Sequence, residues 1–128
     1  MSDPSRPDDV GASGLRKAPV LSVDTVDDSR VVRLAGELDL YNAAAVGEVL
    51  AAVCANGPTR VVVDLSEVEF IDSTALGVLI EARTKLPNRN GFLLAGPRLA
   101  TRRALEISGL DRHFAVHATV EEALESKL

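Results

Sequence analysis

The chain has 128 residues, the size of one typical domain with a single hydrophobic core. Apolar residues make up 46% and charged residues 26%, a composition that excludes a wholly disordered protein. The net charge of −5 argues against binding to a nucleic-acid backbone or an anionic membrane, and the aromatic content of 3% argues against stacking on single-stranded nucleic acid.

The first 18 residues differ in composition from the rest of the chain. They are rich in Pro, Asp, Ser and Gly, and their three acidic and three basic residues cancel. We therefore predict a disordered N-terminal tail over residues 1–18 and a folded domain over residues 19–128 that carries the net charge. The tail lacks the apolar region of a signal peptide.

A β-hairpin and a helix are predicted to open the domain. Residues 20–26 alternate apolar and polar side chains, residues 27–30 (DDSR) have turn chemistry, and residues 31–38 form a second strand. Apolar residues then recur at helical spacing over residues 43–55, and Asn42 is placed to cap this helix.

The remainder of the domain is predicted to alternate strands and helices. Short apolar runs indicate buried strands, and Gly, Pro or capping residues bound the helices between them. In chain order the elements are a strand at 60–65, a helix at 73–86, a strand at 91–96, a helix at 99–108, a strand at 113–118, and a short helix that Thr119 caps.

The element order β-β-α-β-α-β-α-β-α predicts an α/β fold. A mixed β-sheet of about five strands, parallel from the third strand on, is expected to be covered by about four helices. Binding sites in such sheets lie beyond the carboxyl ends of the strands. The charged and hydroxyl-bearing residues that follow each strand are therefore the candidate site residues.

Charge is distributed unevenly along the chain. Residues 37–72 contain seven acidic residues and one basic residue, whereas residues 83–112 contain seven basic and two acidic residues. This asymmetry fits either a polarised binding surface or two ordinary solvated surfaces.

Ser73 lies in the stretch FIDSTALG (residues 70–77), between an apolar strand and an apolar helix. Either Asp72 or Ser73 can cap the helix. Phosphorylation of Ser73 is the functional interpretation, because the positive end of the helix dipole tolerates a phosphate. That phosphate would lie among Asp39, Glu69 and Asp72 and would repel a partner that fits an acidic surface.

Enzymatic functions find little support in the sequence. His113 and His117 are far from Ser73 in sequence and are expected to be structural or surface residues, and no further metal ligands have a recognisable spacing. No Gly-rich phosphate loop is present, and no Lys ends the last strand as a response-regulator receiver would require. We predict no catalytic residue, cofactor or metal, with a small nucleotide-binding or hydrolysing enzyme as the weaker alternative.

Residues 61–82 (VVVDLSEVEFIDSTALGVLIEA) resemble the signature of STAS domains, specifically the bacterial anti-sigma factor antagonists. Residues 34–46 are similar to the Gly-Glu-Leu-Asp segment of that family, and residues 101–124 to its C-terminal stretch. The likeness covers about residues 19–127. It implies a STAS fold and assigns residues 19–128 to a STAS domain.

The resemblance implies a non-enzymatic, cytoplasmic regulator of transcription. In its unphosphorylated form it would bind an anti-sigma factor that is a serine kinase and so release a sigma factor. The kinase would use ATP and Mg²⁺ to phosphorylate Ser73, and a PP2C-type phosphatase would remove the phosphate. The alternative within this family is a phosphorylation-independent subunit of a lipid-transport or stressosome assembly. Both a monomer and a dimer are compatible with the sequence. The chain has one cysteine, Cys54, which is expected to be buried and structural.

The family motif also implies which residues carry the function. Ser73 would accept the phosphate, and Ala75 stands where the family usually has Gly, adding a methyl group beside the site. The residues implied in partner binding are Glu37, Asp39, Asp72, Thr74, Ala75, Leu76 and Gly77.

Overall fold

A computed structural model describes residues 18–128, so nearly all of the predicted tail lies outside the described residues. The described part is a five-stranded sheet with four α-helices and two short 3₁₀ turns at Arg89–Gly91 and Leu110–Arg112. The strands are β1 (Val20–Val26), β2 (Ser29–Leu38), β3 (Arg60–Ile71), β4 (Phe92–Ala95) and β5 (Ala115–His117). The helices are α1 (Ala43–Ala55), α2 (Ser73–Arg83), α3 (Leu99–Ser108) and α4 (Val120–Glu125).

The strands lie side by side in the order β1-β2-β3-β4-β5, with the first pair antiparallel and the others parallel. The hairpin turn contains Asp27 with a φ of 51°, the left-handed conformation that two-residue hairpin turns favour. The predicted α/β class, element order and mixed sheet are confirmed.

The two faces of the sheet are covered unequally. Helices α1, α2 and α3 pack on one face, and α4 covers part of the other. The larger core includes Val32, Leu34, Leu50, Val63, Leu79, Leu94 and Leu105. The smaller core consists of Val31, Val62, Leu93, Ala95 and Ala123.

Strand β3 is longer than predicted, because it continues to Ile71 and does not end at residue 65. Its first part pairs with both neighbours, and beyond Asp64 it pairs with β2 alone. The continuous apolar run therefore gives way to a mixed pattern in which Val68 and Ile71 are buried beside exposed residues. As a result β2 and β3 end together, with Leu38 opposite Ile71.

The helix boundaries agree closely with prediction except at the end of α2, which stops at Arg83, three residues before the predicted end. Gly109 ends α3 in the left-handed conformation, with a φ of 79°. Thr119 caps α4 by accepting a hydrogen bond from the Glu122 N–H, while the Glu122 carboxylate accepts one from Ala118. Within residues 18–128, no helix has both the length and the apolar character that crossing a membrane requires.

Candidate functional site

Asp72 caps helix α2, which settles which of the two adjacent residues performs that role. Its backbone is extended, and its Oδ1 atom accepts a hydrogen bond of 2.9 Å from the Ala75 N–H. The Asp72 N–H donates to the Leu38 carbonyl at 3.0 Å, which fixes the start of the helix against the end of β2. Ser73 is the first residue of the helix and is exposed.

The loop between β2 and α1 lies beside this helix start. The Asp72 Oδ2 atom accepts a hydrogen bond of 3.1 Å from the Leu40 N–H. Within the loop, Asp39 accepts from the Tyr41 N–H through its Oδ1 atom at 3.0 Å and from the Ala43 N–H through its carbonyl at 2.8 Å. Asp39, which is distant in sequence from Asp72 and Ser73, therefore belongs to the same site as these two residues.

Asn42 occupies the predicted cap position of α1, but its side chain makes no capping hydrogen bond. Its amide oxygen accepts from the Asp39 N–H at 3.0 Å, and its amide nitrogen donates to the Glu37 carbonyl at 2.8 Å. The prediction of a side-chain cap was therefore wrong. Asn42 instead stabilises the loop between β2 and α1, since its side chain is hydrogen-bonded to Asp39, three residues earlier, and to Glu37, five residues earlier.

Four carboxylates lie at this end of the sheet, and we call them the acidic edge. The edge follows from the register, in which Glu37 is opposite Phe70 and the loops after β2 and β3 are hydrogen-bonded to each other. Its members are Glu37, Asp39, Glu69 and Asp72.

Asp64 does not belong to this edge, although it counts toward the acidic stretch of the sequence. Its side chain is buried, and its Oδ2 atom forms an ion pair of 2.9 Å with Arg33. Its Oδ1 atom accepts from the Ser66 N–H at 2.9 Å. A buried carboxylate that is paired in this way stabilises the fold and offers no charge to a partner.

Three large apolar side chains are exposed at the same end of the sheet, and sequence reasoning missed all of them. Tyr41 is 82% exposed, Leu40 is 62% exposed and Phe70 is 51% exposed. We call these three residues the apolar rim. The sequence does contain one indication of this surface. Tyr41 is the only Tyr of a chain poor in aromatics, and it lies in a polar loop and not in an apolar segment that would form the core.

The predicted contact residues on α2 divide into two groups. Thr74 and Gly77 are exposed beside Ser73. The side chains of Ala75 and Leu76 are each only 5% exposed and pack in the larger core. Helical geometry turns these two positions toward the sheet, so the structure places their side chains in the core and not beside Ser73 on the exposed side of the helix. The Ala75 methyl group likewise points into the protein and adds no bulk at the surface.

The basic residues of the stretch from 83 to 112 do not form one surface. Arg102 and Arg103 are exposed on the outer side of α3, as predicted, whereas Arg83 lies at the far end of α2 from Ser73. Arg98 donates a hydrogen bond of 2.9 Å from its Nε atom to the Ser66 carbonyl. The basic residues of this stretch are therefore spread over more than one part of the surface.

The histidines lie away from Ser73. His117 is in β5, which is two strands from β3, a lateral distance of about 10 Å. His113 precedes that strand and is exposed. In the part of the chain that the structure describes, no group of three or more His, Cys, Asp or Glu side chains is placed to hold a metal ion.

A family model for the STAS domain matches residues 21–123. The chain belongs to the STAS domain family. This STAS domain is 37% identical over 94 residues to the anti-sigma-F factor antagonist RsfB of Mycobacterium tuberculosis, and the match covers 73% of this chain and 77% of RsfB. The crystal structure of an anti-sigma factor antagonist from Mycobacterium paratuberculosis matches with a TM-score of 0.76 and 37% identity, over 82% of this chain and 89% of that one.

The STAS domain is also similar to SpoIIAA of Bacillus, whose structure is known in two forms. The unphosphorylated form matches with a TM-score of 0.68 over 81% of this chain and 91% of SpoIIAA, and the phosphorylated form with 0.61 over 81% and 96%, both at 25% identity. The predicted family and fold are confirmed. These relatives are named for antagonising anti-sigma factors and not for an enzymatic activity, in agreement with the prediction that the chain is not an enzyme.

Proposed function

We propose that this STAS domain is an anti-sigma factor antagonist that binds its anti-sigma factor while Ser73 is unphosphorylated and releases it once Ser73 carries a phosphate. The observation that carries the proposal is that Asp72 caps α2, which leaves the exposed Ser73 hydroxyl available for modification. The names of RsfB and of the Mycobacterium paratuberculosis protein, and the existence of a phosphorylated form of SpoIIAA, support it.

The start of α2 can accommodate a phosphate on Ser73 without unfolding. Ala75 donates to the Asp72 side chain, and Leu76 donates to the Asp72 carbonyl at 3.0 Å. Helix geometry leaves the N–H groups of Ser73 and Thr74 without an intrahelical acceptor, and a phosphate at this positive end of the helix dipole would be stabilised. We therefore expect the modification to change binding and to leave the fold intact.

The acidic edge gives the phosphate its effect on a partner. A phosphoserine adds about 1.5–2 negative charges at neutral pH. Beside Asp39 and Asp72 the phosphate would occupy the contact at Ser73 and would add negative charge to a surface that is already acidic. We expect this added charge and bulk to repel the partner that fits the unphosphorylated surface. The apolar rim of Leu40, Tyr41 and Phe70 would supply the desolvated contacts that give such interfaces most of their affinity.

The proposed partners follow from this switch. The anti-sigma factor would itself be the serine kinase and would bring ATP and Mg²⁺, while a PP2C-type phosphatase would restore Ser73, all in the cytoplasm. The STAS domain would contribute the acceptor hydroxyl and the docking surface, and its partner would catalyse the transfer of the phosphate.

The test combines purified candidate anti-sigma factor kinases with the STAS domain and ATP-Mg²⁺, followed by mass spectrometry. We expect one phosphate, on Ser73, and loss of the complex in calorimetry. Ser73→Ala should bind and remain unmodified, while Thr74→Ala, altered at the exposed neighbouring hydroxyl, should still be phosphorylated. A tight complex that persists with no label on Ser73 would support the alternative of a phosphorylation-independent subunit.

A further inference from the structure

A groove of about 270 Å³ lies at the opposite end of α2 from Ser73, and basic side chains line it. Arg83 is the last residue of α2, and Arg89 begins the 3₁₀ turn before β4. His113 and His117 come from the β5 region, and Lys127 follows α4. Four separate parts of the fold thus direct cationic or protonatable groups to one place.

The charge of this groove is opposite to that of the chain as a whole. No Asp or Glu is among the residues that line it, although the chain has a net charge of −5. Within residues 18–128 the ion pairs join Arg33 to Asp24 and Asp64, and Lys85 to Glu81, so Arg83, Arg89 and Lys127 form no ion pair with an Asp or Glu side chain there. Three cationic side chains without an acidic side chain among the lining residues are the electrostatic basis of an anion site.

Size and chemistry restrict the ligand. Pockets for drug-sized molecules occupy about 300–1,000 Å³, so this groove suits a smaller molecule. The planar guanidinium of Arg binds phosphate in a bidentate manner, and Lys binds it as a point charge. We propose that the groove binds a small anion carrying two linked phosphate groups, held by Arg83, Arg89 and Lys127 with His113 and His117 as additional donors.

This site is distinct from the proposed phosphorylation site. Arg83 is ten residues after Ser73 on the same helix, which places the two about 15 Å apart along its axis. The inference does not depend on the proposed function, since it uses none of the residues of the acidic edge.

Pyrophosphate is the probe that tests it, with inorganic phosphate and sulfate as comparison anions. The full chain, tagged at its N-terminus because Leu128 also lines the groove, is titrated at about 0.15 M salt, where exposed charges are screened beyond about 8 Å. We expect saturable NMR shifts of the backbone amides at residues 89–91, 113–117 and 127, with pyrophosphate binding more tightly than sulfate.

Paired variants test whether the named side chains hold the anion. Arg83→Ala with Arg89→Ala should weaken pyrophosphate binding by about tenfold or more. Arg102→Ala with Arg103→Ala removes the same charge from the outer side of α3 and should change the affinity by less than about twofold. Lys127→Ala, at an exposed position, provides a groove variant that leaves the helices untouched.

Three results would overturn the proposal. The first is an absence of saturation up to about 10 mM pyrophosphate, a concentration far above the dissociation constant of a functional site. The second is a set of NMR shifts confined to the start of α2. The third is an equal weakening of pyrophosphate binding in the two double variants. The amide spectrum of each variant shows whether it is folded, so a loss of binding in a folded Arg83→Ala/Arg89→Ala protein is interpretable.

Discussion

The carboxylate of Asp72 joins helix α2 to the backbone of Leu40, 32 residues away in the sequence, through a hydrogen bond of 3.1 Å from the Leu40 N–H to Oδ2. The other oxygen of the same carboxylate accepts from the Ala75 N–H at 2.9 Å. One side chain therefore caps the helix that presents Ser73 and positions the loop that carries Asp39. The geometry of the site depends on this residue more than on Ser73 itself.

Replacing Asp72 should show how much its two hydrogen bonds contribute to the free energy of unfolding. Asp72→Ala removes them together and should lower the free energy of unfolding by about 1–3 kcal/mol. Asp72→Asn retains an oxygen for the Ala75 N–H but presents an amide nitrogen to the Leu40 N–H, so it should cost about 0.5–1.5 kcal/mol. Urea unfolding measures both. Thr74→Ala, at an exposed neighbouring position, should stay within about 0.5 kcal/mol, and an equally small effect of Asp72→Ala would refute the dual role.

Substitutions of Ser73 should separate binding from stability. Because Asp72 provides the cap, Ser73→Ala should change the free energy of unfolding by less than about 0.5 kcal/mol. Ser73→Glu places a negative charge at the positive end of α2, which should leave stability unchanged or raise it by about 0.3–1 kcal/mol. Calorimetry with the anti-sigma factor should show that Ser73→Ala binds and that Ser73→Glu binds at least about tenfold more weakly. Thermal unfolding of each variant is the control, and loss of binding through unfolding would contradict the electrostatic account.

The sequence predicts the central part of this site because parallel strands end at the same edge of a sheet. That rule places the residues after β2 and β3, including Asp39 and Asp72, next to each other without knowledge of any contact. The family motif offered Ala75 and Leu76 as contact residues, whereas the structure buries their side chains in the larger core. The helical spacing of Leu76 and Leu79 already indicated a buried stripe, and the periodicity was the better guide.

The apolar rim and the full length of β3 could not be predicted in the same way. Whether a strand segment is covered depends on its neighbours, and β4 is only four residues long, so it leaves the second half of β3 paired on one side. Phe70 lies near the end of the apolar-rich strand β3 and would ordinarily be assigned to a core. Its 51% exposure is a property of the tertiary arrangement and not of the local pattern.

Gly77→Ala should stabilise the fold and disturb the partner surface. A methyl group built at Gly77 meets no atom within 4 Å, and Ala is favoured over Gly in a helix by about 0.8–1 kcal/mol. Gly77 lies one turn after Ser73 on the exposed side of α2, so the same methyl group would project into a partner docked there. Urea unfolding should show a gain of about 0.5–1 kcal/mol while calorimetry shows weaker binding to the anti-sigma factor. Unchanged affinity in the stabilised variant would remove Gly77 from the proposed interface.

The Arg33–Asp64 ion pair should contribute to stability because one member is buried. The Asp64 side chain is 7% exposed, so Arg33→Ala would leave a desolvated carboxylate with only the Ser66 N–H, at a cost of about 1–3 kcal/mol. Asp24, which Arg33 also contacts at 3.3 Å, is half-exposed, and Asp24→Ala should change stability by less than about 0.5 kcal/mol. In an Asp64→Asn background, Arg33→Ala should cost less than in the native chain, because a neutral amide is cheaper to leave unpaired. Equal costs in the two backgrounds, measured by urea unfolding, would show that Arg33 acts through packing alone.

Cys54 should behave as an inert thiol whose ionisation opposes folding at high pH. Its side chain is 1% exposed in the larger core, and burial raises the pKa of the thiol. Iodoacetamide should therefore modify Cys54 in urea but not in the folded protein at neutral pH. In the unfolded chain the thiol ionises at its ordinary, lower pKa, so the unfolded state binds fewer protons than the folded state once the pH exceeds that value. The stabilisation is thus complete below the ordinary thiol pKa and is lost as the pH rises through the higher folded pKa. Urea unfolding over this alkaline range should show a steeper decline in stability for the native chain than for Cys54→Ala, and parallel declines would contradict the assignment of the effect to this thiol.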